Sequence, residues 1–497
     1  MKNIFQTVAG PKINRTAFNL SHERKMSMKM GKLVPILVEE VLPGDKYKIK
    51  AETMIRLAPM ISPIMHRVDA YVHFFYVPNR LVWPKNAEND GWEGFITGRD
   101  ETTVPAYSLS YNVLNEGTLY DYMGLPTHLT QGGIETNMLP FRAYRKIWND
   151  YYRDQHLQDE LELDVLANPL LDRPWEKDYF TSSLPYAQMG GEVQMPLDAS
   201  LSPDYKVISN LKYVNGTNAT GTASGNVGAL EVAGTPSYLE NLEDEQLVEG
   251  GIEVNAFRKA IALQKWLERN ARAGSRYVEH LLAHWGVKSS DARLDRAEYI
   301  GGGKSPIVVS EVLNNTGLDP DNLGNNLPHG SMSGHGINVG QTNQANKYVE
   351  EHGYIIGIMS VLPRTAYSQG QPRMYSRQTF DDFYFPEFAH LGEQEVKDQE
   401  IYATGVKADD IKTFGYQSRY AEYRYQQSSV HGDFRGNLDF WHMARKFDAL
   451  PALNEDFIKS DPRTDIFAVD DGSDPLWVTV YNNIIAKRPM PYYATPR

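Results

Sequence analysis

RVDAYVHFFYVPNRLVW, residues 67–83, is apolar and aromatic at odd and even positions alike. A strand with one wet face alternates, so a run apolar on both faces predicts a strand buried between two layers, ended at Pro78. EEHGYIIGIMSVLPRTAY (350–367) is a second strand of this strongly apolar kind, far along the chain. LVPILVEEVLPGDKYKIKAETMIRLAPM (33–60) reads as a strand, a turn at Pro43-Gly44-Asp45, and a strand alternating at Tyr47, Ile49 and Ala51. LWVTVYNNIIAKRPMPYY (476–493) supplies a late strand. SPIVVSEVLNN (305–315) supplies a short one, running into a Gly/Asn/His loop that lasts to about 345. Early strands can pair with late ones only over a large sequence separation, which Greek-key and jelly-roll topologies provide.

Helical periodicity is confined to two places. In LPFRAYRKIWNDYYRDQHLQ (139–158), Phe141, Tyr144, Ile147 and Trp148 recur at spacings of three or four, with Pro140 in the first turn. In 257–303, Phe257, Ala260, Ile261, Leu263, Trp266 and Leu267 line one helix. A break follows at Ala273-Gly274, then a second helix capped by Ser275 and stopped at Gly286. The pair reads as an insertion docked on a sheet. The layout is therefore a basic arm (1–32), a first part of the β domain (33–201), an exposed acidic and Gly-rich insertion (202–256), the helical pair (257–303) and the remainder of the β domain (304–497). Residues 84–138 read as an extended excursion and 380–396 as aromatic coil.

Charge is unevenly placed. The total is −13, yet residues 1–32 hold seven cations against Glu23 alone, a net of +6 that leaves −19 on the rest. A basic arm on an acidic body suggests one polyanion-facing segment, with a tail that binds nothing as the plain alternative. The absence of cysteine excludes disulfides, thiolate nucleophiles and Cys-ligated metals. No apolar run approaches the ~18 residues of a membrane span, so no membrane insertion is expected.

Catalytic signatures are weak. EYIGGGKS (298–305) resembles the end of a phosphate loop, but Glu298 stands where the motif needs glycine, and the segment reads as a turn. His280 and His284 have metal-ligand spacing without a visible third ligand. The acidic pairs Asp381-Asp382, Asp409-Asp410 and Asp470-Asp471 read as solvated loop acids. Tyr416, Arg419, Tyr420, Tyr423, Arg424 and Tyr425 interleave aromatics with guanidiniums. That pattern suits a subunit interface first and single-stranded nucleic acid second. No catalytic residue, metal ligand or cofactor is expected.

Several segments, taken together and in order, carry a likeness. LVPILVEEVLPGD, HFFYVPNRLVW, FRAYRKIWNDYYRDQHLQ, QKWLERNARAGSRYVEHL with HWGVKSSDARLDRAEYIGGG, PRMYSRQTFDDFYFPEFAHLGEQ, FGYQSRYAEYRY and RPMPYY resemble the major capsid protein of microviruses. These are small icosahedral single-stranded-DNA phages, and the nearest likeness is to the gokushovirus branch. The resemblance implies a mainly β fold, an eight-stranded antiparallel jelly roll with long inter-strand insertions. It implies sixty copies in a T=1 shell around a circular single-stranded DNA genome, with pentamers as intermediates. It implies an internal scaffolding protein, a DNA pilot protein, a small basic DNA-binding protein and a host surface receptor as partners, and assembly in the host bacterial cytoplasm into the virion. It also implies three-fold protrusions built from an insertion, for which 202–256 is the candidate, with Asn215, Asn218, Glu243, Asp244 and Glu245 receptor-facing. Lys12, Arg15, Arg24, Lys25, Lys29 and Lys32 are expected to face DNA or scaffold. The alternative is a phage surface protein that binds or cleaves glycans.

Overall fold

The computed structural model describes residues 14–86, 89–99, 101–163, 169–190, 254–273, 279, 282–284, 286, 290–313, 330–468 and 472–493. The chain divides into two units, Met1–Met189 with Glu268–Arg497, and Gly190–Leu267. The second unit is described only at 190 and 254–267, so the 202–253 stretch lies outside the described residues.

Fourteen strands are described: β1 (Thr16–Asn19), β2 (His22–Met28), β3 (Val34–Val41), β4 (Lys46–Leu57), β5 (Val68–Pro78), β6 (Ala106–Ser110), β7 (Gly133–Asn137), β8 (Glu298–Leu313), β9 (Met332–Gln341), β10 (Ala345–Tyr348), β11 (Gly353–Pro363), β12 (Glu393–Lys397), β13 (Thr413–Ser418) and β14 (Leu476–Arg488). Eight follow one path, β1-β14-β4-β9-β8-β5-β11-β3, while β10 pairs with β4 and β2 with β14. Every pairing is antiparallel, and the sheet curls upon itself as a jelly-roll sandwich does. The early-with-late pairing expected from the sequence is present, in β4 with β14 and β5 with β11. β8 joins the halves: Glu298–Ile307 pairs with β5 and Val308–Leu313 with β9.

The doubly apolar reading of β5 has a direct cause. Val68, Ala70, Val72, Phe74 and Tyr76 enter the core between the layers. Phe75 and Val77 enter a second core on the other face, built with Tyr354, Ile356 and Ile358 of β11 and with the helix Leu139–Ile147. Each such large side chain contributes roughly 1.5–3 kcal/mol by leaving water. Tyr144 is fully buried, accepts from the Leu171 N–H at 3.1 Å and donates to the Leu33 carbonyl at 2.7 Å, locking helix to sheet. The helix widens to a π-turn at Trp148–Tyr152 and ends at Arg153 in extended backbone, short of the expected 158.

Three sequence expectations change. EYIGGGKS is the first half of β8 rather than a turn. Its glycines serve close approach: a β-carbon at Gly302 would lie 2.2 Å from the Val72 carbonyl oxygen, and one at Gly303 3.0 Å from the Thr342 Cα. The Gly/Asn/His loop holds β9 and β10, whose small residues let β4 and β8 approach; at Gly336 a β-carbon would meet Leu57 at 2.3 Å. The helix expected from Phe257 starts earlier and runs from Val254 to Ala273, with Phe257, Ile261, Leu263 and Trp266 exposed. In its last turn Ala271 is buried and Arg272 pairs with Glu393. Of the second helix, Leu282–His284 is helical and Gly286 is left-handed, its N–H bonded to the Leu282 carbonyl at 3.0 Å.

Candidate assembly surface and the basic segment

The loops around β12 and β13 form a third core from Tyr179, Phe180, Tyr367, Val396, Ile401, Phe414 and Phe457. Charged groups tie it down. Arg373 pairs with Glu400 at 2.9 Å, Arg377 with Glu422 at 3.1 Å, and Tyr179 donates to Glu400 at 3.0 Å. Burial pushes the Glu400 carboxyl up despite Arg373 beside it, so the network rather than solvation keeps this acid in place.

On this base stands an aromatic surface. Tyr375, Phe380, Phe383, Tyr384, Phe385 and Tyr423 are all exposed, Phe380 at 71% and Tyr375 at 66%. Ring contacts join Phe380 and Phe385 to Phe388 at 5.9 and 6.0 Å, and Tyr384 to Tyr423 at 6.2 Å. The Arg377 guanidinium lies 4.3 Å from the Tyr423 ring and 5.7 Å from that of Phe383. Asp382 caps the turn that presents Phe380. Against a burial penalty, N–H donors of Gln378 and Thr379 at 2.9 and 2.8 Å hold its carboxyl at about 2. Exposed apolar patches of this kind on a soluble fold mark contact sites, and Tyr, Phe and Arg are the residues such contacts favour.

The Tyr/Arg series is divided by the fold. Tyr416 pairs through its backbone with Leu184, both bonds at 2.8 Å. Arg419 donates to the Asp381 carbonyl at 3.2 Å and lies over Tyr420. Tyr420 is buried with φ 59°, its hydroxyl donating to the carbonyls of Asp381 and Phe383. Tyr423, Arg424 and Tyr425 are exposed. Arg419 and Tyr420 thus support the surface and Tyr423 belongs to it. Tyr375 and residues 380–388 supply the rest, the latter within a stretch that reads as coil from sequence alone; its density of Phe and Tyr without a burying period is the available signal.

The basic segment divides likewise. Lys12 and the receptor-facing candidates Asn215, Asn218, Glu243, Asp244 and Glu245 lie outside the described residues, as does His280. The segment expected to be an arm is strand from Thr16 to Asn19 and from His22 to Met28, laid along β14. Arg24 points inward and donates to the Tyr122 carbonyl at 2.9 Å, and Lys32 pairs with Asp172 at 2.5 Å. Arg15, Lys25 and Lys29 are exposed. The phosphate-loop lysine is committed elsewhere: Lys304 pairs with Asp69 at 3.1 Å and Glu176 at 3.0 Å. His284 bonds Asn270 at 2.6 Å, and among the described residues no three His, Asp or Glu gather as metal ligands.

A jelly-roll sandwich whose long loops raise an exposed aromatic surface is an architecture that viral shell subunits share with lectins. The family described as Capsid protein (F protein) matches residues 6–497. Capsid protein VP1 of Chlamydia phage 1 is 34% identical, over 100% of this chain and 98% of that protein. Capsid protein VP1 of Bdellovibrio phage phiMH2K is 34% identical over 92% of this chain and 90% of its own length, and that of Spiroplasma virus 4 is 29% identical over 99% and 97%. The chain belongs to this family of phage capsid proteins, of the microvirus type, and its role is structural rather than enzymatic.

Proposed function

We propose that sixty copies of this chain close into a T=1 icosahedral shell around a circular single-stranded DNA genome, through pentamers, and that the aromatic surface at 375–388 and Tyr423 is where copies meet. The observation that carries this is the exposed aromatic surface of a chain that its capsid family matches almost end to end. Large apolar side chains held in water by a tied-down base cost free energy until a partner covers them, and repeated ring-closing contacts between identical subunits cover them all. A scaffolding protein, a pilot protein and a small basic DNA-binding protein join during assembly in the host cytoplasm, and the 202–253 insertion meets the host receptor.

Electron microscopy of the expressed chain with light scattering tests the reading. Closed particles near about 3.4 MDa, sixty chains of 56.3 kDa, or pentamers that close when scaffold is added, are the expected result. A monomer that stays monodisperse at high concentration with scaffold present overturns it.

A further inference from the structure

The outward face of the sheet β2-β14-β4-β10 carries an unusual ladder. Along β4 the residues alternate exposed and buried, and the outward ones are Lys46, Lys48, Lys50, Glu52, Met54 and Arg56. Tyr47, Ile49, Ala51 and Ile55 take the inward positions in the core. The strand rise places successive lysines about 7 Å apart, comparable to the spacing of phosphates along an extended single strand. Register adds neighbours: Lys487 stands directly opposite Lys46, and Thr479 of β14 has Lys25 of β2 opposite it.

Six cations, Lys25, Lys46, Lys48, Lys50, Arg56 and Lys487, therefore share this face with Glu23 and Glu52, and with Asp474 at its edge, which accepts from the Ser27 hydroxyl at 3.0 Å. Among the described residues none of the six takes part in an ion pair, and Glu52 accepts from Gln341 at 2.8 Å. Like charges directly opposite across a ladder destabilise it. In a protein of net charge −13, such a pair beside a lysine ladder is a cost that a bound polyanion would offset.

The same face holds rings. Tyr348 is half exposed and opposite Lys46, with the Lys46 ammonium 5.7 Å and the Arg15 guanidinium 5.9 Å from its ring. Trp477 and Tyr481 are exposed on β14. Cations that track a backbone, with aromatic platforms between them, are what an unpaired strand of nucleic acid needs, because only unpaired bases offer their faces for stacking.

We infer that this face binds single-stranded nucleic acid, with Lys46, Lys48 and Lys50 on successive phosphates and Tyr348, Trp477 and Tyr481 as stacking platforms. The inference rests on the shell reading and specifies which face of the subunit meets the genome. The test compares Lys46→Gln/Lys48→Gln/Lys50→Gln and the matching triple Lys→Arg variant with the unaltered chain. Each is assembled with scaffold, assayed for particle mass and DNA content, and titrated as unassembled chain with a single-stranded oligonucleotide across a salt series. The glutamine variant is expected to form particles of normal mass with several-fold less DNA. Its log affinity against log salt slope should flatten by about 2, three contacts at roughly 0.7 each, and the arginine variant should retain both. Unchanged DNA content and slope overturn the inference. So does a glutamine variant that melts normally but forms no particles while the unaltered chain does, which makes the face a dock for an acidic segment of a second copy. Equal affinity for duplex overturns the single-strand assignment. Should the unaltered chain form no particles, the shell reading fails, and the oligonucleotide titration still decides the face.

Discussion

At the scale of residues, two positions carry distinct physics. Gly302 sits where β8 crosses β5, and Gly302→Ala drives a methyl group against the Val72 backbone oxygen. Overpacking at a rigid backbone contact costs typically 1–3 kcal/mol, so we expect a lowered urea midpoint at unchanged m-value. His73 lies among Phe75, Tyr152 and Tyr299, bonded to the Tyr152 hydroxyl at 2.8 Å. Burial, then the nearby Arg173 charge, pushes its pKa down to about 4. The unfolded chain takes up this proton near pH 6.5 and the folded chain only near 4. Stability is therefore full above 6.5 and falls as pH drops toward 4, by on the order of 3 kcal/mol. His73→Gln, which can still hydrogen-bond Tyr152, should flatten urea midpoints across that window; an unaltered slope would reject the assignment.

Among the elements, β14 is the most heavily partnered, with β4 on one side and β1 and β2 on the other. Removing residues 1–28 bares one edge of a long, partly apolar strand, and bare edges pair with other chains. That truncation is expected to aggregate in light scattering and to melt earlier, whereas removal of residues 1–13 alone leaves the edge covered and the melting temperature near that of the intact chain. The same elements show what the sequence could reveal. β5, β11, β3, β4 and β14 were legible because burial on one or both faces imposes a period. β1 and β2 were not: their polar and basic composition resembles a solvated arm, and only the edge of β14 makes strands of them. β9, with its glycines, had no propensity to announce it and is held by its neighbours in space.

For the whole molecule, the aromatic surface makes a quantitative claim. Phe380→Ala or Tyr384→Ala, both exposed, should leave the melting temperature of the unassembled chain unchanged while raising the concentration needed for particle formation by about tenfold or more, as loss of an interface anchor does. Sedimentation over a concentration series reads this directly. An unchanged threshold for both would remove this surface from the contacts. The surface itself was only half legible. Tyr423 and Tyr425 stand out beside arginines, but 380–396 reads as coil, because the Phe and Tyr side chains at 380–385 face outward and leave no burial period.

The opening residue of β1 and the closing residue of β14, Thr16 and Arg488, are register partners, so their Cα atoms stand about 5 Å apart across one ladder. The path through the sandwich is thus nearly a ring. A short linker from Arg488 to Thr16 would let the polypeptide be cut open at another surface turn, such as that at Gly117, with every ladder kept. The order in which these strands leave the ribosome is then dispensable for the finished subunit. What a rearranged chain would reveal is whether that order matters to the route by which the strands first find one another.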